Sequence, residues 1–322
     1  MPQITPARTR LATQSDVSVL FKLICDLAEY EKLAHEVVGS VDALADHLFG
    51  DRPCIQAFIA EHQHHPLGFA LFFPIYSTAA AQTGFYLEDL FVTPEARGQG
   101  VGKALLSRLA QYSLEQSDGV LEWSVLDWNA PAIAFYQRIG ASISDQDRVC
   151  RLTHPQLQSV SALTIPSDWT VRFATVNDSL AIAQHLCEKD NLSEAKQLFE
   201  RWLTPTLAYK SAPCSQLEVA VVVHGDRIIG CAPVSQSYST FLTQPGFLIE
   251  RVVVVPGYSY ESVHQVLIAY LAKVALERQY GRLEWRETLH RPQAIGHAHQ
   301  LGATVLDDWR ICRGSGEVIA SP

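Results

Sequence analysis

The 322-residue sequence has no C-x-x-C pair, no apolar run of membrane-spanning length and no surplus of basic residues. Each absence excludes a class. The seven cysteines stand singly, so they read as small buried hydrophobes in a reducing compartment rather than as a disulfide framework or a zinc site. Without a span of about 20 apolar residues no membrane crossing is expected, and the opening residues MPQITPARTR lack the apolar centre of a signal peptide. A cytoplasmic location is expected. A formal net charge of −9 argues against nucleic acid as a partner, because phosphate backbones need a basic face. It is compatible with a cationic small molecule. What the sequence does have is apolar residues, 48% against 18% charged. That is enough for more than one core, and the length makes two domains the expectation.

Internal comparison shows how that length is used. Displacing the chain against itself by 162 residues (Gly302 minus Gly140) brings Arg10, Ala12, Thr13 and Asp16 onto Arg172, Ala174, Thr175 and Asp178. It also brings Tyr76-Ser77-Thr78 onto Tyr238-Ser239-Thr240, Glu88 onto Glu250, and Leu121-Glu122-Trp123 onto Leu283-Glu284-Trp285. Arg148, Cys150 and Arg151 meet Arg310, Cys312 and Arg313. One offset held from end to end means two copies of one domain. The expected division is residues 1–155, a linker at 156–168 and a second copy at 169–322, because the join is polar and lacks periodicity.

The most informative stretch runs from Gly84 to Ala141. Phe85 to Val92, rich in aromatic and β-branched residues, reads as a strand stopped by Thr93-Pro94. Arg97-Gly98-Gln99-Gly100-Val101-Gly102 follows, then a helix whose Val101, Leu105, Leu109 and Tyr112 form an apolar stripe. The first amides of that helix point into the glycine turn. Free N–H groups and the positive end of the helix dipole converge there on an anion site. Spacing excludes two nucleotide loops. A Walker loop needs glycine where Arg97 stands and Ser or Thr where Ala104 stands, and a dinucleotide fingerprint needs G-x-G-x-x-G where the glycines run G-x-G-x-G.

Asn129 before Ala130-Pro131 is expected to cap the last helix of the stretch, with Gly140 closing it. Asp16 is expected to cap an earlier helix carrying Val17, Leu20, Phe21, Ile24 and Leu27. His62, His64 and His65 fall in the polar tip of a hairpin between Gln56–Glu61 and Leu67–Phe73. They lack the i, i+4 spacing of a metal site, and no metal is expected. Ile75 to Thr83 reads as a loop.

Arg97-x-x-Gly100-x-Gly102 after an acidic strand resembles the acetyl-CoA site of the GNAT N-acetyltransferase superfamily. Tyr86-Leu87-Glu88-Asp89, the glycine turn, Trp128-Asn129-x-Pro131-x-Ile133-x-Phe135-Tyr136 and Gly140-Ala141 are similar, in order and separation, to the spermidine/spermine (diamine) acetyltransferase branch. Ile139 stands where that branch has arginine. The resemblance implies an α/β (α+β) fold of two tandem GNAT-like domains, each a mixed, mostly antiparallel central sheet flanked by helices. It implies that Leu90, Phe91, Val92, Arg97, Gly98, Gln99, Gly100, Val101, Gly102, Lys103, Asn129 and Tyr136 bind acetyl-CoA as cosubstrate. It further implies that Glu31, Glu88 and Asp89 face the acceptor, and that Tyr136 and Glu88 are catalytic.

Neighbouring strand residues point to opposite faces, so Glu88 and Asp89 share a cleft only if a bulge re-aims one of them. An alkyl ammonium with pKa about 10.4 must lose a proton before it attacks. Glu88, directly or through water, is the expected base, and Tyr136 the expected donor to the departing thiolate. Strand amides near Leu90 to Val92 are the expected oxyanion donors, and direct transfer is expected. In the second copy Arg97, Gly98, Gly100 and Gly102 become Ser259, Tyr260, Ser262 and His264, while Asp89, Asn129 and Tyr136 become Arg251, Arg291 and Ala298. That copy is expected to keep the fold, to lose the chemistry and to stand where a second subunit stands in dimeric relatives. The expected acceptor is a polyamine or a diamino acid such as thialysine. Alternatives are a protein or peptide lysine or N-terminus, and a non-catalytic CoA-binding sensor. The assembly is expected to be a monomer with a pseudo-dimeric domain pair, or a homodimer.

Overall fold

The computed structural model describes residues 8–77, 82–186 and 217–320. The expected strand start at Pro6, the repeat match at Thr78, and Cys187 and Cys214 lie outside the described residues. The first copy runs β1 (Arg8–Leu11), α1 (Val17–Tyr30), α2 (Val41–Phe49), β2 (Gln56–His62), β3 (His65–Ser77), β4 (Gln82–Val92), α3 (Val101–Gln116), β5 (Val120–Leu126), α4 (Ala130–Arg138), β6 (Ser142–Ser144) and β7 (Asp147–Thr153). After α5 (His154–Ser161) come β8 (Trp169–Phe173), α6 (Ser179–Leu186), β9 (Glu218–His224), β10 (Arg227–Ser239), β11 (Gln244–Ile249) and β12 (Val253–Val254). The chain ends with α7 (Tyr260–Glu277), β13 (Arg282–Thr288), α8 (Pro292–Gln300), β14 (Thr304–Leu306), β15 (Trp309–Ser315) and α9 (Gly316–Ile319).

The stripe on α3 does what its spacing predicts: Val101, Leu105, Leu109 and Tyr112 are buried against Phe58, Phe72 and Phe85 of the first sheet. Leu20, Ile24 and Leu27 of α1 pack with Ile59, Phe69 and Leu71 in a second cluster. Helices thus cover both faces, which is why β3 reads as an unbroken apolar run rather than an alternating one. Asp16 does not cap α1 with its side chain. Its carboxylate instead pairs with Arg10 at 2.7 Å and accepts from the Thr13 N–H at 2.8 Å, and Arg172, Asp178 and Thr175 repeat this staple in the second copy. The expected hairpin is present with its polar tip shortened, and two other expectations need correction. The His62–Pro66 tip is a two-residue turn at Gln63 and His64, both with positive φ as hairpin twist demands. Ile75 to Ser77 and Gln82 to Thr83 are strand rather than loop. Part of the linker is the helix α5, started by a Thr153–Gln156 capping box and buried through Leu157 and Val160.

Among the described residues the strands form a seven-stranded sheet, β1-β2-β3-β4-β5-β15-β6, and an eight-stranded one, β14-β7-β13-β11-β10-β9-β8 with β12 beside β10. Pairing is antiparallel except for β4–β5 and β11–β13. The two copies exchange their last long strands. β7 of the first copy lies between β13 and β14, and β15 of the second lies between β5 and β6. Asp147 pairs with Thr288 while Trp309 pairs with Leu126, so the exchange obeys the same offset of 162 (Trp309 minus Asp147) as the sequence repeat. The sheets are therefore reciprocal, and each is composed of chain from both sides of residue 155.

Candidate active site

The ladder between β4 and β5 runs from Gly84–Val120 to Leu87–Trp123 and stops. Beyond it the strands part, and Leu90, Phe91 and Val92 face Ser124, Val125 and Leu126 across a cavity of about 910 Å³. At one end of this opening lies the glycine turn. Gly98 (φ 74°) and Gly100 (φ 82°) adopt left-handed backbone, and a Cβ at either would meet nothing within 4 Å. Gly100 caps α3 without a side-chain bond, and the first helical bond runs from Ala104 N to Gly100 O. The amides of Val101, Gly102 and Lys103 therefore have no partner inside the helix. Arg97, Lys103 and Arg138 line the same cavity. An open, cationic helix start of this kind fits a diphosphate.

The acidic strand carries the bulge that its adjacent carboxylates require. Leu71 pairs with Asp89 and Phe72 with Leu87, so Glu88 is the extra residue, and both acids reach the cavity. Glu31, at the end of α1, joins them. Burial, with Glu88 and Glu36 nearby, pushes its carboxyl up to about 7. Asp89 is 7% exposed, and burial followed by the charges of Glu88 and Glu31 holds it well above the usual carboxylate range. Glu88 is also raised by burial, opposed by the guanidinium of Arg282 at 3.0 Å. Three carboxyls in one desolvated space cannot all ionise.

Asn129 caps α4, its Oδ1 accepting from the Ala132 N–H at 3.3 Å and from the Tyr30 hydroxyl at 3.2 Å. Pro131 lies in the first turn and Gly140 closes the helix with φ 84°. Tyr136 from this helix is buried against Trp123, ring centroids 5.1 Å apart, and lines the cavity. Burial raises its phenol pKa, so it keeps its proton. Of the expected positions, Gln99 alone is off the cavity wall: its amide donates to the Glu95 carbonyl at 2.7 Å and tightens the turn.

The second copy's own turn is differently filled. Ser259 caps α7 by accepting from the Ser262 N–H at 3.2 Å, and Glu261 adds negative charge to the first turn. His264, in the place of Gly102, is 1% exposed and stacks on Tyr260 with centroids 5.4 Å apart. Burial holds its imidazole down to about 3. What this copy gives the cavity is wall: Thr240, Phe241 and Leu242 from the β10–β11 turn, and Arg282, Glu284 and Arg286 from β13.

Residues 24–141 match the acetyltransferase (GNAT) family. The L-ornithine N5-acetyltransferase NATA1 of Arabidopsis thaliana is 33% identical over 204 residues, covering 49% of this chain and 90% of that protein. The chain belongs to the GNAT acetyltransferase family. A second GNAT relative, the thialysine N-epsilon-acetyltransferase of Mus musculus, is 36% identical over 142 residues, covering 42% of this chain and 83% of its own. A tandem GNAT protein from the clavulanic acid biosynthesis pathway superposes with a TM-score of 0.55 at 14% identity, covering 96% of this chain and 98% of that one, which speaks for the fold. The protein is thus an acyltransferase with two GNAT-like sheets.

Two features of this GNAT site escaped sequence reasoning. Tyr30 is one: besides its bond to Asn129, its ring lies 4.4 Å beneath the Arg97 guanidinium, tying α1 to the start of the glycine turn and to the cap of α4. Its place beside Glu31 was the available signal. Arg282 is the other. The repeat sets it against Val120, an arginine where the copy has an apolar residue. Among the described residues no group of three or more His, Cys, Asp or Glu is placed to hold a metal ion, and no helix is long and apolar enough to cross a membrane.

Proposed function

We propose that this chain transfers acetyl from acetyl-CoA to a primary amine of a small cationic acceptor, a polyamine or a diamino acid. The observation that carries the reading is one cavity joining an open helix start to an acidic bulge. The amides of Val101 to Lys103, with Arg97 and Lys103, hold the cofactor's phosphates, and the parted strands β4 and β5 receive its acyl arm. When bound, acetyl-CoA supplies an activated acyl group and a thiolate leaving group. Asp89 and Glu31 receive the cationic end of the acceptor, and Glu88, made more basic by burial, takes the proton of the attacking ammonium. Tyr136 gives its proton to the sulfur, and main-chain N–H groups between Leu90 and Val92 stabilise the oxyanion. The second copy binds no cofactor, because Tyr260 and His264, stacked on each other, stand at the places of Gly98 and Gly102, and it serves in place of a partner subunit. A shared volume of about 910 Å³ favours a small acceptor over a folded protein.

A panel of spermidine, ornithine, thialysine and a lysine peptide, followed by thiol release, tests this reading. Turnover is expected with the small amines and not with the peptide. Calorimetry should count one CoA per chain. Thiol release that no amine accelerates, or two CoA equivalents, refutes it.

A further inference from the structure

Glu88 is not alone on its bulge. Arg282 opens β13, between β11 and β7, and sends its guanidinium across to the first copy. One nitrogen, Nη2, lies 3.0 and 3.2 Å from the two oxygens of Glu88 and also donates to the Tyr238 carbonyl. Nε lies 3.2 Å from Glu284 Oε2. The stem passes over Gly246, where a Cβ would stand 2.7 Å from Arg282 Cγ. The Arg282 side chain is 7% exposed and that of Glu88 13%. We propose that Arg282, supplied by the second copy, is a positioning residue that holds Glu88 at the bulge in its ionised, proton-accepting form. The proposal rests on the reading of Glu88 as the base.

Three observations support it. The fold does not require the arginine: at the same register of the first sheet Val120 pairs with Gly84, as Arg282 pairs with Gly246 in the second. The neighbours of Glu88 would otherwise hold its proton on. Asp89 and Tyr86 share its strand, Glu31 comes from α1 and Glu284 from β13, and of these the acids carry its own sign. Tyr238 faces it from β10, while Arg151 of β7 pairs with Glu284 at 2.7 Å and Arg286 with Glu122 at 2.6 Å. Among the described residues Arg282 is the cation in contact with Glu88. Guanidinium is protonated at every working pH, so it fixes the charge state of its partner without itself titrating. The Tyr238 carbonyl and Glu284 hold it from swinging toward a carboxylate elsewhere in the cavity.

The test is the pH profile of kcat/KM, from about pH 5 to pH 9, on the most active amine of spermidine, ornithine and thialysine. An opposite charge at this distance lowers a carboxylate by about 1–3 pH units. Arg282→Gln should therefore move the acid limb up by about that much, so that kcat/KM is lost on the acid side of the profile and returns as pH rises toward 9. Arg282→Lys should keep the limb near its wild-type position. Glu284→Gln removes a like charge and frees Arg151, and should move the limb down. Glu88→Gln should abolish the limb together with most of the turnover. If Arg282→Gln does not fold, the Lys and Glu284→Gln variants carry the same test. A loss equal at every pH, or an acid limb that Arg282→Gln leaves unmoved, makes Arg282 a structural ion pair while Glu88 stands as the base. If Glu88→Gln keeps wild-type turnover, or no amine is acetylated, the reading of the base itself fails.

Discussion

Replacing Tyr136 by phenylalanine separates chemistry from folding. The ring is held by Trp123, 5.1 Å away, and by Phe135, 5.3 Å away, and phenylalanine preserves both contacts. Among the described residues the hydroxyl meets no hydrogen-bond partner, so its removal orphans nothing. A change in stability within about 0.5 kcal/mol is expected, or roughly 2 °C in Tm for a chain of this size. Burial keeps the phenol protonated through the neutral range, so in the proposed reaction it would serve as a donor and not as a base. Loss of a positioned acid costs about 10²–10⁴ in rate, which is roughly 3–5 kcal/mol of barrier. The fold should lose at most about a sixth of what the reaction loses. Thiol release and acetyl-amine product would be followed beside thermal melts and CoA titration, with the deficit expected in kcat and unchanged affinity for CoA. A variant that melts like the wild type and turns over within about threefold of it would refute the assignment.

The glycine turn gives a second separation. Gly102 has ordinary helical backbone, and a Cβ there would touch Val92 and Phe135 only at 3.7 and 3.9 Å, so Gly102→Leu should fold at least as well as wild type. It should weaken CoA binding by roughly ten- to a hundredfold through lost charge-assisted bonds, whereas Gly100→Ala, forced into φ 82°, should lose about 1–2 kcal/mol of stability as well. Calorimetry and urea melts distinguish the two, and equal CoA affinity in Gly102→Leu would sink the phosphate assignment. The Arg172–Asp178 staple sets an acid limit, because Arg172 holds the Asp178 carboxyl down to about 2, below its value in the unfolded chain. Its contribution is then full above about pH 4 and fades as pH falls toward 2. With Arg172 41% exposed, Asp178→Asn should cost about 1 kcal/mol at pH 7 and little near pH 2, and a deficit that persists in acid would overturn this.

What could be read in advance was local. The glycine turn, the Asn129 cap and the stripe on α3 depend on residues within a few positions of each other, and a bulge was the condition on which the neighbours Glu88 and Asp89 could share one cleft. Pairing partners are another matter. Because Asp147–Thr153 and Trp309–Ser315 occupy equivalent places in the repeat, alternation and offset are satisfied equally whether each strand stays with its own copy or crosses. The short helix α5 buries only Leu157 and Val160, too few positions to show a period. Arg282 was hidden for a different reason: its partner Glu88 is distant in sequence, and only the broken match with Val120 marks it.

The crossed strands also bear on how the protein is made. Val120–Leu126 leaves the ribosome with one side of its backbone uncovered, and the segment that closes it, Trp309–Ser315, starts 183 residues later (309 minus 126). At about 5–20 residues per second the wait is roughly 10–40 s. Throughout it the nascent chain displays an apolar ribbon, VLEWSVL, able to template aggregation. On a crowded polysome this segment of one nascent molecule competes to complete the sheet of its neighbour, so yield should fall as ribosomes load more densely on the message, and cutting the gene at the repeat boundary should release two insoluble fragments rather than a minimal enzyme.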